Sequence, residues 1–176
     1  MLVTVKKILR KFSWRSTALY FLVFVVASFA GNLWMTRDQV QGDAPEIVAQ
    51  SLTGSLFRQD FKRLNNSVLI YFFADWCPIC KLQQSVIASI NEDVQVIAIA
   101  MQSGTVENVR QYVADNEVPY LVVNDEYGKI SADYGVKGVP AAFIVDPKGR
   151  IKYTTRGYAT EAGLRSRVWL ADTLLN

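Results

Sequence analysis

The sequence predicts an α/β fold, a central mixed sheet flanked by helices, that follows an N-terminal transmembrane helix. Apolar runs of strand length alternate with helical patterns, a tight turn joins the last two strands, and one long segment near the N-terminus carries no charge. Alternating strands and helices are typical of a parallel sheet covered on both faces, and a final hairpin adds an antiparallel ribbon. The 176 residues are enough for one compact domain and an appendage.

The uncharged segment comprises residues 16–35, "STALYFLVFVVASFAGNLWM". A helix of this length spans about 30 Å, the thickness of the hydrocarbon core of a bilayer. Residues 1–15 contain five basic and no acidic residues, so the positive-inside rule places them in the cytoplasm and the rest of the chain outside. We therefore expect a signal anchor at residues 16–35 that crosses a bacterial inner membrane once and leaves the C-terminal domain in the periplasm.

A cleaved signal peptide is the alternative interpretation of the same segment. Ser28 and Ala30 form a small-x-small pair before Gly31, and the most apolar part, residues 18–30, has the length of the hydrophobic region of a signal peptide. Cleavage would release a soluble periplasmic domain. Both interpretations export the domain, and export matters for its cysteines because an oxidising compartment favours disulfides.

Residues 36–46 lack apolar periodicity and contain Gly42 and Pro45, so we expect a linker there and a globular domain over residues 47–176. After Arg15 the chain carries 14 basic and 16 acidic residues. The basic surplus of the whole chain therefore belongs to its N-terminal tail. We expect no nucleic-acid partner, because such a partner would need a basic patch on the domain itself.

The first half of the domain shows a hairpin and two buried strands with a helix between them. Residues 47–61 fit a hairpin with a central Thr-Gly turn, and residues 67–74 and 94–100 are apolar runs typical of strands buried on both faces. A helix should begin at Pro78, since proline suits the first helical turn. Its apolar stripe is predicted to contain Leu82, Val86, Ile87 and Ile90.

The second half continues the alternation and closes with a hairpin and a helix. The predicted elements are a helix at 105–116, a strand at 120–124, a short helix at 129–134, strands at 139–146 and 151–155, and a C-terminal helix. Residues 147–150, "PKGR", supply the tight turn of the hairpin. Alternation along its second strand places Ile151 and Tyr153 on one face. The apolar side of the C-terminal helix is predicted to consist of Leu164, Val168, Trp169, Leu170 and Leu174.

The chain has two cysteines, Cys77 and Cys80, in "ADWCPICK" directly after the strand at 67–74. In an open α/β sheet, chemistry gathers at the carboxyl ends of the strands. Cys77 falls there and at the start of a helix, where unpaired N–H groups and the helix dipole stabilise a thiolate and lower its pKa below about 8.5. The spacing therefore predicts an exposed nucleophile, Cys77, and a shielded thiol, Cys80, that resolves the mixed disulfide.

Other interpretations of this cysteine pair fit the residues less well. An inert disulfide would stabilise the fold weakly, because it closes a very short loop. Haem attachment needs a histidine after the second cysteine and zinc needs four ligands, whereas the chain has no histidine. A two-thiolate copper(I) site is chemically open, with Met101 as the one methionine of the domain that could assist. A peroxiredoxin-type peroxidase would carry a proline and Thr/Ser arrangement that the residues before Cys77 lack. We expect neither a resident metal nor a cofactor.

The segment "ADWCPICK" after an apolar strand, followed later by "YGVKGVPAAFIVDPKGRI", resembles the thioredoxin-fold proteins. Over residues 45–176 the chain is similar to the membrane-tethered, periplasmic TlpA/ResA-like thiol:disulfide oxidoreductases, and within them to the ScsD-type proteins linked to copper tolerance. This resemblance implies a thioredoxin-like fold and an enzyme that exchanges disulfides with exported proteins. It also implies a membrane thiol-electron transporter as redox partner, as in the cytochrome c maturation members of the family.

The resemblance also implies roles for individual residues. Cys77 would be the attacking thiol and Cys80 the resolving one, with Pro140 as a cis-proline beside them. The backbone of Val139 would pair with an extended substrate segment by strand addition. Trp76 would shield the disulfide or, alternatively, pack as an aromatic residue at the end of the strand.

Two positions depart from the family pattern. Many thioredoxins carry a buried acid six residues before the first cysteine, where this chain has Tyr71, and some TlpA/ResA-type reductases carry a glutamate six residues after it, where this chain has Gln83. A buried carboxylate can accept the proton of the resolving thiol. Here that proton would go to water, to Asp75 or to another acid. Asp75 and Lys81 are otherwise expected to be solvated.

We therefore expect a membrane-anchored periplasmic protein-disulfide oxidoreductase that works through the "CPIC" motif, as a reductant rather than an oxidant. The anchor favours reduction because it suits an enzyme supplied with electrons by a membrane transporter. The alternative from another class is a copper(I) carrier that binds the metal through both thiolates without redox turnover.

Overall fold

The structure of the protein is a computed structural model that describes residues 18–27, 31, 39–62 and 64–173. The chain divides into two compact units, Met1–Arg37 and Asp38–Asn176. In the first unit, residues 18–27 are helical and exposed. No helix among the described residues is long and apolar enough to cross a membrane. The segment expected to span the membrane, residues 16–35, lies only partly within the described ranges.

The second unit contains eight strands and four helices among its described residues. In chain order these are β1 (Gly42–Asp43), β2 (Ile47–Gln50), β3 (Leu56–Gln59), β4 (Val68–Phe73), α1 (Pro78–Ile90), β5 (Val96–Met101), α2 (Val106–Asp115), β6 (Leu121–Asp125), α3 (Lys129–Asp133), β7 (Ala141–Val145), β8 (Arg150–Arg156) and α4 (Glu161–Thr173). Every element predicted after residue 46 is present, with small shifts of its ends.

Six of the strands form one mixed sheet in the order β1-β8-β7-β4-β5-β6. β4, β5 and β6 run parallel to one another, while β7 is antiparallel to both of its neighbours, β4 and β8. The strand-helix-strand connections build the parallel half of the sheet, and the closing hairpin builds the antiparallel half. The predicted mixed sheet is thus confirmed. β2 and β3 pair with each other in a separate antiparallel sheet of two strands.

Part of the segment predicted as a linker, residues 36–46, belongs to the large sheet. Gly42 and Asp43 form β1 and pair with Ile151 and Arg150 of β8 at one edge of the sheet. This strand has no apolar pattern of its own, and its pairing partner lies far along the chain. Local sequence therefore could not reveal it.

Helices and the small hairpin cover the large sheet on both faces. On one face, α1, α2 and α4 pack against a core that includes Tyr71 and Phe73; on the other, α3 and the β2–β3 hairpin pack against Phe72 and its neighbours. β4 is buried along its whole length because alternate side chains enter opposite cores. Two alanines of β5, Ala98 and Ala100, pair with Tyr71 and Phe73 and leave room for their rings.

The buried faces of two helices differ from the predicted apolar stripes. α1 buries Cys80, Gln83, Ile87 and Ile90, and α4 buries Leu164, Val168 and Ala171 among its described residues. Leu174, predicted for the apolar side of this helix, lies outside the described residues. Leu82, predicted to point inward, is 70% exposed, because the helix is rotated so that Cys80 faces the core. Trp169 is likewise exposed, since it lies about 100° around the helix from its buried neighbour Val168.

A β-bulge changes the side on which one residue of the closing hairpin lies. The register of β7 and β8 skips a residue between Ile151 and Tyr153, which leaves Lys152 as the extra residue. Ile151 and Tyr153 consequently enter opposite cores. The prediction that they share a face is therefore wrong.

Candidate active site

The cysteine pair lies where β4 leads into α1, with Cys77 directly before the helix and Cys80 in its first turn. Cys77 is the N-cap residue of α1, with an extended backbone (φ −93°, ψ 109°), and Pro78 follows at the start of the helix. The Cys80 N–H donates to Cys77 Sγ at 3.2 Å, and the Cys77 carbonyl accepts from the backbone N–H groups of Cys80 and Lys81. The start of the helix thus directs an N–H group at the sulfur, an arrangement that stabilises negative charge on it.

Cys77 and Cys80 form a disulfide, with their Cα atoms 5.3 Å apart. Cys77 is 4% exposed and Cys80 is 2% exposed. The predicted contrast between an exposed and a shielded cysteine is therefore wrong for the disulfide form. The reason is that Cys77 Sγ is bonded to Cys80 and lies 3.7 Å from the Val139 carbonyl oxygen, while Trp76 and Ile79 carry the exposed surface.

The loop before β7 lies beside the disulfide. The peptide bond between Val139 and Pro140 is cis, as the family resemblance implied. Pro140 is buried and Val139 is half-buried, and the Val139 carbonyl faces the Cys77 sulfur. The fold thus brings the cysteine pair together with two residues that lie far away in the sequence.

Trp76 precedes the cysteine pair and faces solvent. It is 61% exposed. Its indole Nε1–H donates to the Gln102 carbonyl at 3.2 Å. Gln102 adopts a left-handed backbone (φ 46°), which is uncommon for a residue other than glycine, and its N–H donates to the Asp125 carbonyl.

Ser103 follows Gln102 in the same loop and forms a hydrogen bond with the backbone of Asp75. The Asp75 N–H donates to Ser103 Oγ at 3.1 Å, and the Asp75 carboxylate accepts the Trp76 N–H at 2.9 Å. Asp75 is half-buried and orders the turn, rather than being fully solvated as expected; Lys81 is exposed. The loop between β5 and α2 is therefore part of the site. Sequence reasoning missed it because nothing in the local pattern marks these polar residues.

Gln83 lies one turn after Cys80 on the buried face of α1. Its Nε2 donates to the Ala159 carbonyl, and its Oε1 accepts the Ala159 N–H, each at 2.9 Å. Both ends of the amide are therefore paired. A neutral amide cannot take a proton from a thiol, so Gln83 fastens α1 to the loop before α4 and supplies no base.

Tyr71 lies in the core that also contains the cysteine pair. Its hydroxyl is buried and has no hydrogen-bond partner among the described residues. Burial, reinforced by the nearby Tyr120 and Tyr112, raises the pKa of Tyr71 far above its ordinary value. The phenol therefore stays protonated at neutral pH. Tyr71 and Gln83, the two residues that depart from the family pattern, therefore supply no acceptor for the proton of Cys80.

The arrangement as a whole is suited to thiol chemistry. A sulfur at a helix N-terminus can attack or leave as a thiolate, and a second sulfur one turn later can close the disulfide again. In the part of the chain that the structure describes, no group of three or more His, Cys, Asp or Glu side chains could hold a metal ion.

The known proteins that are similar to this chain include proteins named for thiol–disulfide exchange. The model of the AhpC/TSA family matches residues 40–154. A thioredoxin-like protein of Haemophilus influenzae is 28% identical over 153 residues, which make up 86% of this chain and 90% of that protein. The thiol:disulfide interchange protein DsbE of the same organism is 32% identical over 122 residues, which make up 68% of this chain and 61% of DsbE.

Solved structures show the same fold. The structure of MTB dsbF in its mixed oxidized and reduced forms has a TM-score of 0.63 and 26% sequence identity, and the match covers 71% of this chain and 94% of that one. The predicted thioredoxin-like fold and the predicted enzyme class are therefore confirmed. The chain belongs to the AhpC/TSA family, as a thioredoxin-like thiol:disulfide oxidoreductase.

Proposed function

We propose that the protein is a membrane-anchored periplasmic reductase that exchanges disulfides with exported proteins through Cys77 and Cys80. The observation that carries the proposal is the hydrogen bond from the Cys80 N–H to the Cys77 sulfur at the start of α1. A donor at this place favours the thiolate form of Cys77 over the thiol. Cys77 is accordingly the attacking sulfur, and Cys80 is the resolving one.

The reaction proceeds in two exchange steps. In the reduced protein, the Cys77 thiolate attacks one sulfur of a substrate disulfide; the substrate S–S bond breaks, a mixed disulfide forms, and the other substrate sulfur leaves as a thiolate. Cys80 then gives its proton to solvent and attacks Cys77, which restores the protein disulfide and releases the first substrate sulfur. Two electrons pass from the protein to the substrate, whose thiolates take up protons from water.

The substrate chain is expected to run along the loop before β7. Pro140 has no N–H of its own to donate, so the backbone of Val139 is the group that pairs with an extended substrate segment. Trp76, exposed directly before Cys77, covers the mixed disulfide and contacts the substrate. These three residues form the substrate-binding part of the proposed site.

The reductive direction requires an electron donor, which we propose to be a membrane thiol-electron transporter. We also propose that residues 16–35 anchor the chain in the bacterial inner membrane, which would keep the cysteine pair close to such a transporter. Residues 1–15 then lie in the cytoplasm. Extraction of membranes with alkaline carbonate tests the anchor: the full-length chain should stay in the pellet, whereas a cleaved signal peptide would yield a shorter, soluble product.

Trapping of the mixed disulfide tests the proposed reaction. The Cys80→Ser variant retains the attacking sulfur but cannot resolve the adduct. The reduced variant, mixed with insulin whose disulfides are intact, should therefore form a covalent complex, which is detected on a non-reducing gel. The Cys77→Ser variant is the matched control and should form at least about tenfold less complex. Equal amounts of complex from the two variants, or none from either, would refute the assigned roles.

A further inference from the structure

Two residues other than glycine adopt a left-handed backbone in the described part of the chain, Gln102 (φ 46°) and Glu117 (φ 49°). Glu117 follows the end of α2, where a left-handed residue commonly closes a helix. The Glu117 N–H donates to the Ala114 carbonyl, so the conformation of Glu117 belongs to the helix end. Gln102 directly follows the strand β5, and no helix end explains its conformation.

The left-handed backbone of Gln102 separates its two hydrogen-bonding groups. The N–H stays with the sheet and donates to the Asp125 carbonyl at the end of β6. The carbonyls of an extended strand bond to neighbouring strands, whereas the Gln102 carbonyl accepts the Trp76 indole Nε1–H at 3.2 Å. The change of conformation thus ends β5 and gives the ring of Trp76 an acceptor.

The residue after Gln102 fixes the backbone of the same tryptophan. Ser103 is 4% exposed, and its hydroxyl donates to the Met101 carbonyl and accepts the Asp75 N–H. The Asp75 carboxylate in turn accepts the Trp76 N–H. Two consecutive residues of the loop therefore hold Trp76, one at its ring and the other, through Asp75, at its backbone.

The hydrogen bond to Gln102 restrains a ring that packing leaves largely uncovered. Trp76 is 61% exposed, and an exposed side chain changes rotamer rapidly unless a specific contact restrains it. A left-handed backbone is unfavourable for a residue that has a Cβ. Conformations of this kind are typical of functional sites, where the surrounding structure maintains them.

We infer that Gln102 is a positioning residue for thiol–disulfide exchange: its left-handed backbone directs its carbonyl at the Trp76 indole, and this bond keeps the ring next to Cys77. The inference rests on the proposed function, because Trp76 contacts the substrate of the same cysteine pair. A ring that is in place when the substrate arrives loses no rotamer freedom during the exchange. The backbone of Gln102 carries this role, and its side chain is dispensable.

Substitutions at position 102 test the inference through the backbone conformation. Glycine adopts the left-handed region freely, whereas a β-branched residue is strongly disfavoured there. The full-length chain is reduced in detergent, freed of dithiothreitol and mixed with insulin whose disulfides are intact, and the second-order rate constant of exchange is measured. Gln102→Gly should keep the wild-type rate constant within about twofold, and Gln102→Val should lower it about fivefold.

A variant of the tryptophan tests the same hydrogen bond from its other end. Trp76→Phe keeps an aromatic ring but removes the indole N–H, so it should also lower the rate constant about fivefold. Addition of Gln102→Val to Trp76→Phe should lower it no further, because the bond is already absent. The prediction for Trp76→Phe holds even where Gln102→Val is too unstable to purify.

Glu117→Val is the matched control. It places the same β-branched residue in the same left-handed region, but at the end of α2. This variant should lose stability as Gln102→Val does and yet keep the wild-type rate constant within about twofold. The control therefore separates backbone strain in general from the position of the Trp76 ring.

The indole signal of Trp76 provides a readout that a loss of stability does not move. The chain has four tryptophans, and isotopic labelling of their nitrogens gives an indole N–H signal for each in a nuclear magnetic resonance spectrum. The signal that is missing from Trp76→Phe belongs to Trp76. Gln102→Val should shift this signal because the carbonyl acceptor is lost, whereas Gln102→Gly and Glu117→Val should leave it in place.

The outcomes separate the inference from the proposed function. The inference would be overturned by a wild-type rate constant in Gln102→Val or in Trp76→Phe, or by an indole signal that Gln102→Val leaves in place. A loss of rate in Gln102→Gly would assign the effect to the side chain and would also overturn it. In each case the exchange observed with the wild type would still support the proposed function, whereas a wild type that does not react with insulin would overturn both.

Discussion

At the scale of single residues, the site depends on polar atoms that are paired with the backbone. The Cys77 sulfur accepts an N–H of its own helix, and the Gln83 amide is paired at both ends with Ala159. The first pairing matters for reactivity, because it stabilises a thiolate. The second matters for stability, because a buried backbone group left without a partner costs about 1–3 kcal/mol.

Replacement of Gln83 by leucine should therefore destabilise the fold. Gln83→Leu keeps the volume of the side chain but leaves the N–H and the carbonyl of Ala159 without partners, so we expect the free energy of unfolding to fall by about 2 kcal/mol. Denaturation of the oxidised protein in urea measures this loss. The control is Gln111→Leu on the exposed side of α2, which should change the free energy by less than about 0.5 kcal/mol. Equal effects of the two variants would contradict the assigned role of Gln83.

At the scale of elements, the hairpin of β7 and β8 is ordered by its turn. The Asp146 carboxylate accepts from the backbone N–H groups of Lys148 and Arg150 and from the Arg150 guanidinium, and it lies 3.4 Å from Lys152 Nζ. Gly149 has a left-handed backbone (φ 81°). The bulge at Lys152 turns this side chain toward Asp146, so the irregular register and the turn support each other.

Two glycines share a backbone conformation but differ in their surroundings, so their alanine variants distinguish the cost of left-handed backbone strain from the cost of a steric clash. Gly149 (φ 81°) and Gly157 (φ 82°) both adopt the left-handed region. A Cβ at Gly149 would collide with the backbone carbonyl of Phe61, whereas a Cβ at Gly157 would meet nothing within 4 Å. Gly157→Ala should therefore cost only the left-handed strain, about 1 kcal/mol, and Gly149→Ala about 3 kcal/mol or more. Urea denaturation of both variants measures the difference, and similar losses would argue against the close approach to Phe61.

The turn also predicts a dependence of stability on pH. Burial by itself raises the pKa of Asp146, but the hydrogen bonds from Arg150 and Lys152 outweigh it and hold the pKa below its ordinary value of 3.8. A carboxyl with a lower pKa in the folded chain adds stability above its unfolded pKa, and this contribution is lost as the pH falls through the folded pKa.

Asp146→Asn should therefore lower the free energy of unfolding at pH 6, by about 1–2 kcal/mol. The difference from the wild type should shrink as the pH falls from about 4 toward 2. Urea denaturation at several pH values measures it. A difference for Asp146→Asn that stays constant down to pH 2 would contradict the linkage.

At the scale of the whole molecule, the sheet gathers the site at the carboxyl end of β4. The cysteine pair follows β4, the Trp76 contact comes from the end of β5, and the cis-proline precedes β7, which pairs with β4. Three segments that are remote in sequence therefore surround one disulfide. The stability of that disulfide relative to the dithiol sets the direction of electron flow.

The proposed reductive direction predicts a low reduction potential for the Cys77–Cys80 pair. We expect a value near that of thioredoxin, about −270 mV, rather than near −120 mV, the value of a strong oxidant. Equilibration of the protein with mixtures of reduced and oxidised dithiothreitol, followed by alkylation of free thiols, measures it. A potential near the oxidant value would reverse the assigned direction without affecting the assignment of the two cysteines.

The sequence by itself determined the order of the elements after residue 46, the mixed sheet and the position of the cysteine pair at the start of a helix; the proline beside that pair was implied by the family resemblance. Local signals predict these features: apolar runs, helical spacing, prolines at element boundaries and a short motif. Hydrophobic burial acts on such patterns wherever they fold, so they could be predicted without knowledge of distant contacts.

Only the tertiary structure decided which side of α1 faces the core, which residues hold the cysteine turn, and which strands lie at the sheet edge. The exposed Leu82, the loop residues Gln102 and Ser103, and the strand β1 each depend on partners far along the chain. A helix with apolar residues on several sides can be rotated without changing its sequence pattern, and a backbone carbonyl carries no side-chain signal. Side-chain packing in the folded chain therefore selects one helix rotation and one set of contacts among several that are equally compatible with the local sequence.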